Sequence, residues 1–427
     1  MGTPSAAKKP RLALKNLHVD VGFARQASFC LSLEQGLATF QYNAMDYHTG
    51  MPQTITITEQ GQNGFKSADF DFGPELGRGE GGGVRIVFHK PTKRKYALKE
   101  TQVMGRSTRH QLERELLAYR EIGNMDNIVK LHDVYYEEGR VNMVLELMTW
   151  GSLETLLLRQ AQASPPVHME EPVLLAIIHG VLRALRFLHD DHNIVHRDIK
   201  PGNVMLHESG AVKISDFGTS VTGNANAEGG AGTLGYMSPE RLEGTSCSTK
   251  SDIWALGIMC LECAMGRHPF IKDGPTVLIE LYTLVVVEEP PKADGLALSE
   301  ELISVINSCI FKEQSKRPNA SDILGNPLFC NSNEHLKAKV SWLRRFGKPV
   351  RGDEQDDFYI FHAPTPRAPL TPRTEMQESV CSTESVCSTS DNSPAVFPSP
   401  PPLRPSSLEA AGPSSSTPHT PDPPGSA

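Results

Sequence analysis

One short run near the middle of the chain holds residues whose types and order could transfer a phosphoryl group. Residues 196–203 read His-Arg-Asp-Ile-Lys-Pro-Gly-Asn, and residues 216–218 read Asp-Phe-Gly. Asp198 could accept the proton of an attacking hydroxyl. Asn203 and Asp216 offer hard oxygen ligands, which are the kind that Mg²⁺ prefers. The run therefore predicts a phosphoryl-transfer site.

A glycine-rich stretch upstream could hold the phosphates of the donor. Residues 76–84 read Leu-Gly-Arg-Gly-Glu-Gly-Gly-Gly-Val. Glycines there would let backbone N–H groups approach phosphates without a Cβ in the way, although such a stretch by itself is more often a flexible turn. The apolar run Tyr96-Ala97-Leu98 follows and ends on Lys99, which predicts a short strand ending in a lysine.

In this order the segments resemble the glycine-rich loop, the lysine-bearing strand and the catalytic motifs of the protein kinases. The resemblance covers about residues 70–330 and implies an α+β, bilobal protein kinase fold, with an antiparallel sheet plus one helix in the N-lobe and a mostly helical C-lobe. It also implies ATP and Mg²⁺ as cofactors, with Lys99 on the α- and β-phosphates. The implied catalytic residues are Asp198, Lys200, Asn203, Asp216 and Lys99, and the implied metal ligands are Asn203 and Asp216.

Lys99 needs a counter-charge if it is buried. Residues 111–117 read Gln-Leu-Glu-Arg-Glu-Leu-Leu, with apolar positions at helical spacing. We predict that Glu115 of this helix pairs with Lys99. Glu113 and Glu121 are expected to be solvated acids on the helix surface.

The apolar run Val-Leu-Glu-Leu-Met at residues 144–148 matches the hinge between the two kinase lobes. The resemblance makes Leu145 the gatekeeper and makes backbone groups of Glu146 and Met148 available to the adenine. The full set of implied nucleotide-binding residues is Gly77, Arg78, Gly79, Glu80, Gly81, Gly82, Val84, Ala97, Lys99, Glu115, Leu145, Glu146 and Met148.

Residues 232–242 read Gly-Thr-Leu-Gly-Tyr-Met-Ser-Pro-Glu-Arg-Leu. This sequence strongly resembles the MAP kinase kinases, STE-type kinases that phosphorylate both Thr and Tyr in the activation loop of a MAP kinase. The resemblance implies an ion pair between Glu240 and Arg317 that ties the activation segment to the C-lobe. It also implies that Asp252 holds the backbone of the catalytic loop.

Two further roles near Asp198 follow from the same resemblance. Serine/threonine-type kinases have a lysine at the position of Lys200, where it neutralises charge on the transferred γ-phosphate. Thr233 is expected to hydrogen-bond near Asp198. Lys200 alone does not exclude tyrosine as an acceptor.

Two other classes of function stay open at this point. One is an STE-type serine/threonine kinase of another branch, acting upstream of MAP kinase kinases. The other is a pseudokinase scaffold, which would keep the fold without the chemistry. Pseudokinase scaffolds usually lack a counterpart of Lys99, Asp198 or Asp216, whereas this chain has all three residues.

A second indication lies at the N-terminus, where a basic cluster precedes a Leu-x-Leu pair. The residues are Lys8, Lys9, Arg11, Leu12 and Leu14. In the docking pattern of MAP kinases, the cations meet an acidic patch and the two leucines enter neighbouring apolar pockets. A nuclear-import signal and a solvated tail are the alternatives. Beside a kinase domain of this type, the pattern predicts a MAP kinase as the partner.

The chain departs from the MAP kinase kinases between its Asp-Phe-Gly and Ser-Pro-Glu motifs. These enzymes are usually activated by phosphorylation of two Ser/Thr residues there, but Ala225 and Gly229 occupy the aligned positions. Thr222 and Thr233 remain as candidate phosphorylation sites. We expect either constitutive activity, with Glu228 supplying part of the missing negative charge, or activation through Thr222 by an upstream kinase.

Composition argues against several other classes of function. The chain has 42 Lys+Arg and 50 Asp+Glu, a net charge of −8, and residues 352–427 carry −7 of it with 3 Arg, no Lys and 10 acids. No basic face therefore predicts nucleic-acid binding. No secretory leader and no long apolar run accompany the eight cysteines, so we expect reduced thiols. The same observations predict a cytoplasmic protein that could enter the nucleus and that has no membrane role. Cys260 and Cys263 are expected to be core residues.

The family resemblance, together with the change in composition near residue 351, divides the chain into five parts. They are a docking motif at 1–15, an N-terminal extension of uncertain structure at 16–69, the kinase domain at 70–330, a C-terminal helical extension at 331–350 and a disordered Pro/Ser/Thr-rich tail at 351–427. Within the N-terminal extension, residues 53–58 alternate like a strand. The tail has six Ser/Thr-Pro steps, which a proline-directed kinase such as a MAP kinase could phosphorylate as feedback sites.

Overall fold

The structure is a computed structural model. It describes residues 29–34, 37–45, 52–58, 60–79, 82–103, 106–162, 169–222, 232–271, 277–330 and 332–346, with the backbone alone for the described residues up to 56 and for residues 79, 106, 332–336 and 346. All of these residues lie in one compact unit, residues 1–371. The predicted docking motif, the loop at residues 223–231 and the predicted tail lie outside the described residues.

The strands of the described residues are β1 (Phe29–Glu34), β2 (Leu37–Met45), β3 (Pro52–Ile57), β4 (Phe70–Gly79), β5 (Gly82–His89), β6 (Arg94–Gln102), β7 (Leu131–Glu137), β8 (Arg140–Leu145), β9 (Gly151–Ser152), β10 (Ile194–Val195), β11 (Val204–Leu206), β12 (Val212–Ile214) and β13 (Val221–Thr222). The α-helices are α1 (Arg106–Ile122), α2 (Leu153–Ala161), α3 (Glu171–Arg186), α4 (Pro239–Leu242), α5 (Thr249–Met265), α6 (Leu278–Tyr282), α7 (Glu300–Cys309), α8 (Ala320–Leu324) and α9 (Ser332–Phe346). The π-helical turns Phe187–Asp191 and Thr283–Val287 extend α3 and α6.

The N-lobe is built on a five-stranded antiparallel sheet in the order β4-β5-β6-β8-β7. Successive residues of a strand point to opposite faces, and both faces of this sheet are buried. Ile86 and Ala97 belong to the main core together with Leu112 of α1. Their neighbours Val87 and Tyr96 belong to a second apolar cluster on the other face. The two-lobed α+β fold is thus as predicted, with α1 against one side of the sheet.

An aromatic side chain from the segment before β4 packs on that second cluster. The ring of Phe65 stacks on Phe70 with centroids 5.6 Å apart and meets Tyr96 edge-to-face at 5.5 Å. Aromatic pairs at such separations add to the free energy gained by burial alone. The second face of the sheet is therefore closed by residues that lie before the kinase domain boundary.

The same segment is bonded to β7, the edge strand of the sheet. The N–H groups of Asn63 and Phe65 donate to Oδ2 of Asp133 at 3.0 and 3.2 Å. The N–H of Tyr136 donates to the carbonyl of Thr58 at 2.8 Å. The part of the chain that sequence analysis left uncertain thus contributes to the N-lobe. β3 forms where the alternation predicts a strand, as one edge of an antiparallel sheet with β2 and β1.

The centre of the C-lobe is α5, which is apolar on all sides and correspondingly buried. Every residue from Ser251 to Leu261 is buried. Ser248 caps its first turn, and Gly266 ends it with a φ of 68°, a left-handed conformation that favours glycine. Cys260 and Cys263 are free, buried thiols in this helix, as expected of core residues.

α3 is the second core helix, and it corrects one sequence-based expectation. The continuous helical stretch Glu171–Asp191 is long and apolar enough to cross a membrane by length and composition, so the chain does contain such a run. In its most apolar window, 72% of the residues are buried inside the C-lobe, as in the core helix of a folded domain. α9, which forms within the predicted C-terminal helical extension, packs on α3, and its Trp342 and Leu343 are buried in the core.

Candidate active site

Lys99 of β6 stands between two carboxylates. Its Nζ lies 2.7 Å from both carboxylate oxygens of Glu115 and 3.4 Å from Oδ1 of Asp216. Burial alone would lower the pKa of Lys99, but the charges of Asp216 and Glu115 outweigh it and raise the pKa above its ordinary value. The predicted pair of Lys99 and Glu115 is therefore present, and the lysine is a fixed cation.

Asp216 is held by its neighbours in an uncommon backbone conformation. Its φ is 63°, in the left-handed region that non-glycine residues rarely adopt. The charge of Lys99 lowers the pKa of Asp216 to about 2. Phe217 is fully buried and packs edge-to-face on Tyr119 of α1 at 5.3 Å and on His196 at 5.1 Å. The Phe217 contacts tie α1, which carries Glu115, to the catalytic loop.

Asp198 is surrounded by donors. Its Oδ2 accepts from Nδ2 of Asn203 at 2.8 Å and lies 2.9 Å from Nζ of Lys200. Its Oδ1 accepts from the N–H of Thr233 at 2.8 Å. Burial opposes ionisation, but Lys200 and the hydrogen bond from Thr233 outweigh it and lower the pKa of Asp198. Asp198 is therefore a carboxylate at neutral pH and is held in one orientation.

Thr233 contributes to this network with its side chain as well. Nζ of Lys200 donates to Oγ1 of Thr233 at 2.5 Å. The expectation that Thr233 bonds near Asp198 is met by the structure. Its hydroxyl, which the sequence also offered as a phosphorylation site, is engaged by Lys200.

Asp252 of α5 fixes the backbone of the catalytic loop, as the resemblance implied. Its carboxylate accepts the N–H groups of His196 and Arg197, both at 2.8 Å, and lies 2.9 Å from Nε2 of His189. Burial opposes its charge, but the contacts with His189 outweigh it and lower the pKa of Asp252. Arg197 has a φ of 71°, so these bonds hold a strained backbone conformation directly before Asp198.

Glu240 and Arg317 form the predicted buried ion pair. Nη1 and Nη2 of Arg317 each lie 2.8 Å from one carboxylate oxygen of Glu240, which is the two-pronged geometry that suits a guanidinium. Ser251 adds a hydrogen bond to Glu240 at 2.9 Å, and Trp254 lies under the guanidinium at 5.0 Å. Both charged side chains are buried, so the segment after the catalytic loop is fixed to the C-lobe.

Two glycines of the glycine-rich stretch at residues 76–84 have different surroundings. A Cβ on Gly82 would lie 1.6 Å from the carbonyl oxygen of Glu100, so Gly82 is required by the packing of β5 on β6. A Cβ on Gly77 would meet no described residue within 4 Å, which leaves space beside the backbone. Of these two glycines, Gly77 is the one that fits the reason given from the sequence, which was the approach of a ligand to the backbone.

Other residues of the predicted nucleotide site surround this loop. The side chain of Arg78 is mainly exposed and pairs with Glu75 at 3.0 Å. Val84 stands opposite Lys99 on the neighbouring strand. Ala97 stands opposite Leu145, the predicted gatekeeper, and both are buried. Gly79 ends β4, whereas Glu80 and Gly81 lie outside the described residues.

The hinge offers one acceptor and one donor to an adenine. The N–H of Glu146 donates to the carbonyl of Lys130 at 2.9 Å, and the carbonyl of Met148 accepts from Gly151 at 3.0 Å. The side chain of Glu146 is paired with Lys213 at 2.7 Å. The Glu146 carbonyl and the Met148 N–H have no hydrogen-bond partner among the described residues. Sequence reasoning named these residues but not which of their backbone groups are free.

The residues predicted to bind a metal fit that role. Nδ2 of Asn203 donates to the carbonyl and the carboxylate of Asp198, which leaves Oδ1 of Asn203 for a cation. Asp216 uses Oδ1 for Lys99 and Gly218, which leaves its Oδ2. These two oxygens, of which the Asp216 oxygen lies on the carboxylate that contacts Lys99, are of the kind that suits Mg²⁺, which keeps most of its other ligands from water and phosphates.

Glu113 departs from the sequence-based expectation. It is 2% exposed, whereas Glu121 is exposed as expected. Oε1 of Glu113 has no hydrogen-bond partner among the residues that the structure describes, and burial raises the pKa of Glu113 to about 7. The prediction of a solvated acid was wrong because periodicity identifies the face of a helix that packs on the sheet, and α1 is covered on more than that face.

Arg197 is a residue to which sequence reasoning assigned no role. It is 4% exposed, and its Nε and Nη2 have no hydrogen-bond partner within the described part of the chain. Burial lowers the pKa of Arg197, and the neighbouring charges of Arg241 and Arg114 lower it further. A buried guanidinium with unused donors has the chemistry to accept an anion as its partner. Its place directly before Asp198 in the catalytic motif was the available signal.

Two comparisons with known proteins agree with this geometry. The family model described as the protein kinase domain matches residues 70–329. Mitogen-activated protein kinase kinase 1c of Physcomitrium patens is 38% identical over 295 residues, which are 66% of this chain and 82% of the relative. Mitogen-activated protein kinase kinase 2 of Arabidopsis thaliana is 34% identical over 310 residues, 70% of this chain and 83% of the relative. The dual specificity mitogen-activated protein kinase kinase dSOR1 of Drosophila melanogaster is 34% identical over 280 residues, 59% of this chain and 68% of the relative.

The chain belongs to the protein kinase family and is an enzyme of that class. Its site brings together a fixed lysine, an ionised carboxylate and two side-chain oxygens without a hydrogen-bond partner among the described residues. Within the family, its relatives place it among the MAP kinase kinases, as a signalling kinase of that type.

Proposed function

We propose that this kinase transfers the γ-phosphate of ATP, in the presence of Mg²⁺, to Thr and Tyr hydroxyls in the activation loop of a MAP kinase. The names of its relatives support the substrate class, and one of them is described as dual specificity. The observation that carries the proposal is Lys99, fixed between Glu115 and Asp216 beside an ionised Asp198. We assign this activity to the cytoplasm, with access to the nucleus.

The residues around Asp198 supply orientation and charge. Asp198 is ionised, so it accepts a hydrogen bond from the substrate hydroxyl and aligns its oxygen for in-line attack. Lys200, 2.9 Å from Asp198, stands where it can also neutralise charge on the group being transferred. Thr233 holds both residues in place through its N–H and its hydroxyl.

The nucleotide would be held by groups that are already fixed. The Glu146 carbonyl and the Met148 N–H are available to the adenine, and Lys99 is available to the α- and β-phosphates. Asn203 and Asp216 would bind Mg²⁺, which supplies positive charge to the phosphates when it is bound. Because Glu115 fixes Lys99 before the ligand arrives, little reorganisation is needed on binding.

The test is a transfer assay with full-length protein, ATP and Mg²⁺ on catalytically dead MAP kinases, with Asp198→Ala as the control. We expect phosphate on both Thr and Tyr of one activation loop. A second panel of catalytically dead MAP kinase kinases addresses the other branch. Transfer to that panel alone would reassign the enzyme one step upstream. Nucleotide binding without transfer to any protein would indicate a missing activating phosphate if pre-treatment with upstream kinases restores transfer, and a scaffold if it does not.

Recruitment of the MAP kinase is assigned to Lys8, Lys9, Arg11, Leu12 and Leu14, which lie outside the described residues. Basic residues followed by two spaced leucines are chemically suited to an acidic patch beside apolar pockets. We expect the Leu12→Ala/Leu14→Ala variant to raise KM for a MAP kinase and to leave KM for a short activation-loop peptide unchanged. Leu17→Ala is the matched control, and an equal effect of both variants would remove the assignment.

Activation is assigned to negative charge near Arg197. The unused donors of this buried guanidinium support the idea, because an anion there would accept hydrogen bonds from them. Thr222 is exposed and pairs with Ile194, two residues before His196, so a phosphate added by an upstream kinase would lie near the catalytic loop. Glu228 is the alternative source of charge. Loss of activity in Thr222→Ala supports the first route, loss in Glu228→Gln the second, and no loss in either removes both.

A further inference from the structure

An open groove of about 430 Å³ lies on the C-lobe between α9 and the turn that joins β11 to β12. Four of its residues occupy positions i, i+3, i+4 and i+7 of α9 and so form one stripe of the helix. They are Lys337, Val340, Ser341 and Arg344, with Ser209 of the turn as the opposite wall. The groove combines two cations, two hydroxyls and one apolar side chain, which is the chemistry of a site for an acidic peptide.

The two cations of the groove have no charged partner in the described part of the chain. Lys337 and Arg344 are exposed, and neither forms an ion pair or hydrogen bond with any residue in the described part of the chain. Trp342 and Leu343 of the same helix are buried on the side that faces α3. α9 therefore binds the C-lobe through its apolar face and leaves a basic stripe beside the groove.

The sequence that follows α9 supplies a matching occupant. Residues 353–357 read Asp-Glu-Gln-Asp-Asp and are the first acidic run after the helix. The connection from the end of α9 is Gly-Lys-Pro-Val-Arg-Gly, and glycine and proline are the residues that chain reversals favour. Its length is sufficient, because seven steps from Phe346 to Asp353 span up to about 23 Å when extended.

The spacing of the charges also matches. Lys337 and Arg344 are seven residues apart on a helix, so they are separated by about 10 Å along its axis. Asp353 and Asp356 are three residues apart, and an extended chain covers about 10 Å in three steps. A chain that reverses after α9 and runs back along it would therefore bring Asp353 to Arg344 and Asp356 to Lys337.

We propose that residues 353–357 fold back along α9 and occupy this groove. The occupant belongs to the same molecule, because a connection of six residues gives it a far higher effective concentration than a free partner has. The ion pairs lie at the surface, so the contact is weakened by salt. The groove is thus an intramolecular docking surface for an acidic peptide.

Amide hydrogen exchange of the full-length protein measures this contact. The reference is residues 378–389, where Glu-Ser-Val-Cys-Ser-Thr occurs twice in the same tail. At low salt we expect residues 353–361 to exchange about fivefold more slowly than their intrinsic rate, which is the factor given by two surface ion pairs of ordinary strength. The reference should exchange at its intrinsic rate, and 1 M salt should remove the difference.

Two variants with equal charge test whether the groove itself is the binding site. Lys337→Gln/Arg344→Gln should abolish the slow exchange, whereas Lys348→Gln/Arg351→Gln, which removes two cations from the connection, should retain it. Zero-length carbodiimide coupling should join Lys337 to a carboxylate of residues 353–357. Lys337→Glu should remove the protection, and adding Asp356→Lys should restore it.

The opposite results overturn the proposal. Equal exchange of residues 353–361 and 378–389 would show that the segment is undocked. Equal loss of protection in the two glutamine variants would show attraction to basic residues in general. Coupling between two copies that carry different isotope labels, without coupling inside one copy, would assign the groove to a second molecule.

Discussion

Replacement of Arg317 by leucine should destabilise the protein severely, because it strands a buried carboxylate. Glu240 would lose two hydrogen bonds of 2.8 Å and its only cation among the described residues, and it is 7% exposed. Breaking a buried pair by removing one partner costs about 3–5 kcal/mol. For a domain of this size, each kcal/mol lowers Tm by roughly 2–4 °C, so we expect a fall on the order of 10 °C.

The neighbouring residue provides a matched control. Nζ of Lys316 lies 2.8 Å from Glu313, the same separation as in the buried pair, but these side chains are 62% and 59% exposed. Surface pairs of this kind contribute little. Lys316→Leu should therefore leave Tm nearly unchanged, although it removes the same charge one position away.

Thermal unfolding followed by circular dichroism, with urea unfolding at 25 °C, measures both variants. Glu240→Leu/Arg317→Leu removes both charges together and should lose less stability than the two single variants added together, because neither partner is left unpaired. If Arg317→Leu and Lys316→Leu lowered Tm by the same amount, burial would not be the cause, and the reasoning from the Glu240 environment would be refuted.

Three further predictions concern the active site and its supports. Asp198→Asn should lower kcat by on the order of 10²–10⁴-fold with little change in nucleotide affinity, as measured by steady-state kinetics and calorimetry; unchanged kcat would contradict its role. Gly82→Ala should lower Tm, because its Cβ would lie 1.6 Å from the Glu100 carbonyl oxygen. Gly77→Ala should leave Tm unchanged, and equal melting temperatures of the two variants would contradict this reasoning. The pKa of Glu113, about 7, is above its ordinary value of 4.5, so its ionisation opposes folding as pH rises through that interval. Glu113→Gln should therefore raise Tm at pH 8 and have little effect at pH 4.5, and a gain at both pH values would exclude ionisation as the cause.

The contacts that sequence analysis predicted are those that an ordered motif implies. Lys99 with Glu115, Glu240 with Arg317, and Asp252 with the catalytic loop are all present. Such pairs can be inferred because each motif places one charge at a fixed point of a known fold. They lie far apart in sequence, so composition and periodicity alone would not have joined them.

The features that were missed depend on what covers each element. Periodicity showed that α1 has an apolar face but not that Glu113 is also buried. The glycine pattern suggested phosphate binding for Gly82, although the backbone of β6 is what excludes a side chain there. The donors of Arg197 are unused because no carboxylate of the described residues bonds to them. A local sequence pattern does not reveal which side chains surround a buried residue.

The contact of residues 58–65 with the N-lobe sets a limit on where the chain can be shortened. A chain that began at residue 70 would still contain every catalytic motif, but it would lack the hydrogen bonds that Thr58, Asn63 and Phe65 make with β7, and the ring of Phe65. An unprotected edge strand beside exposed aromatic rings is a template for pairing between molecules. The boundary of the catalytic motifs is therefore not the boundary of a soluble folding unit, and a shortened enzyme that keeps residues 58–69 should resist aggregation where one starting at residue 70 does not.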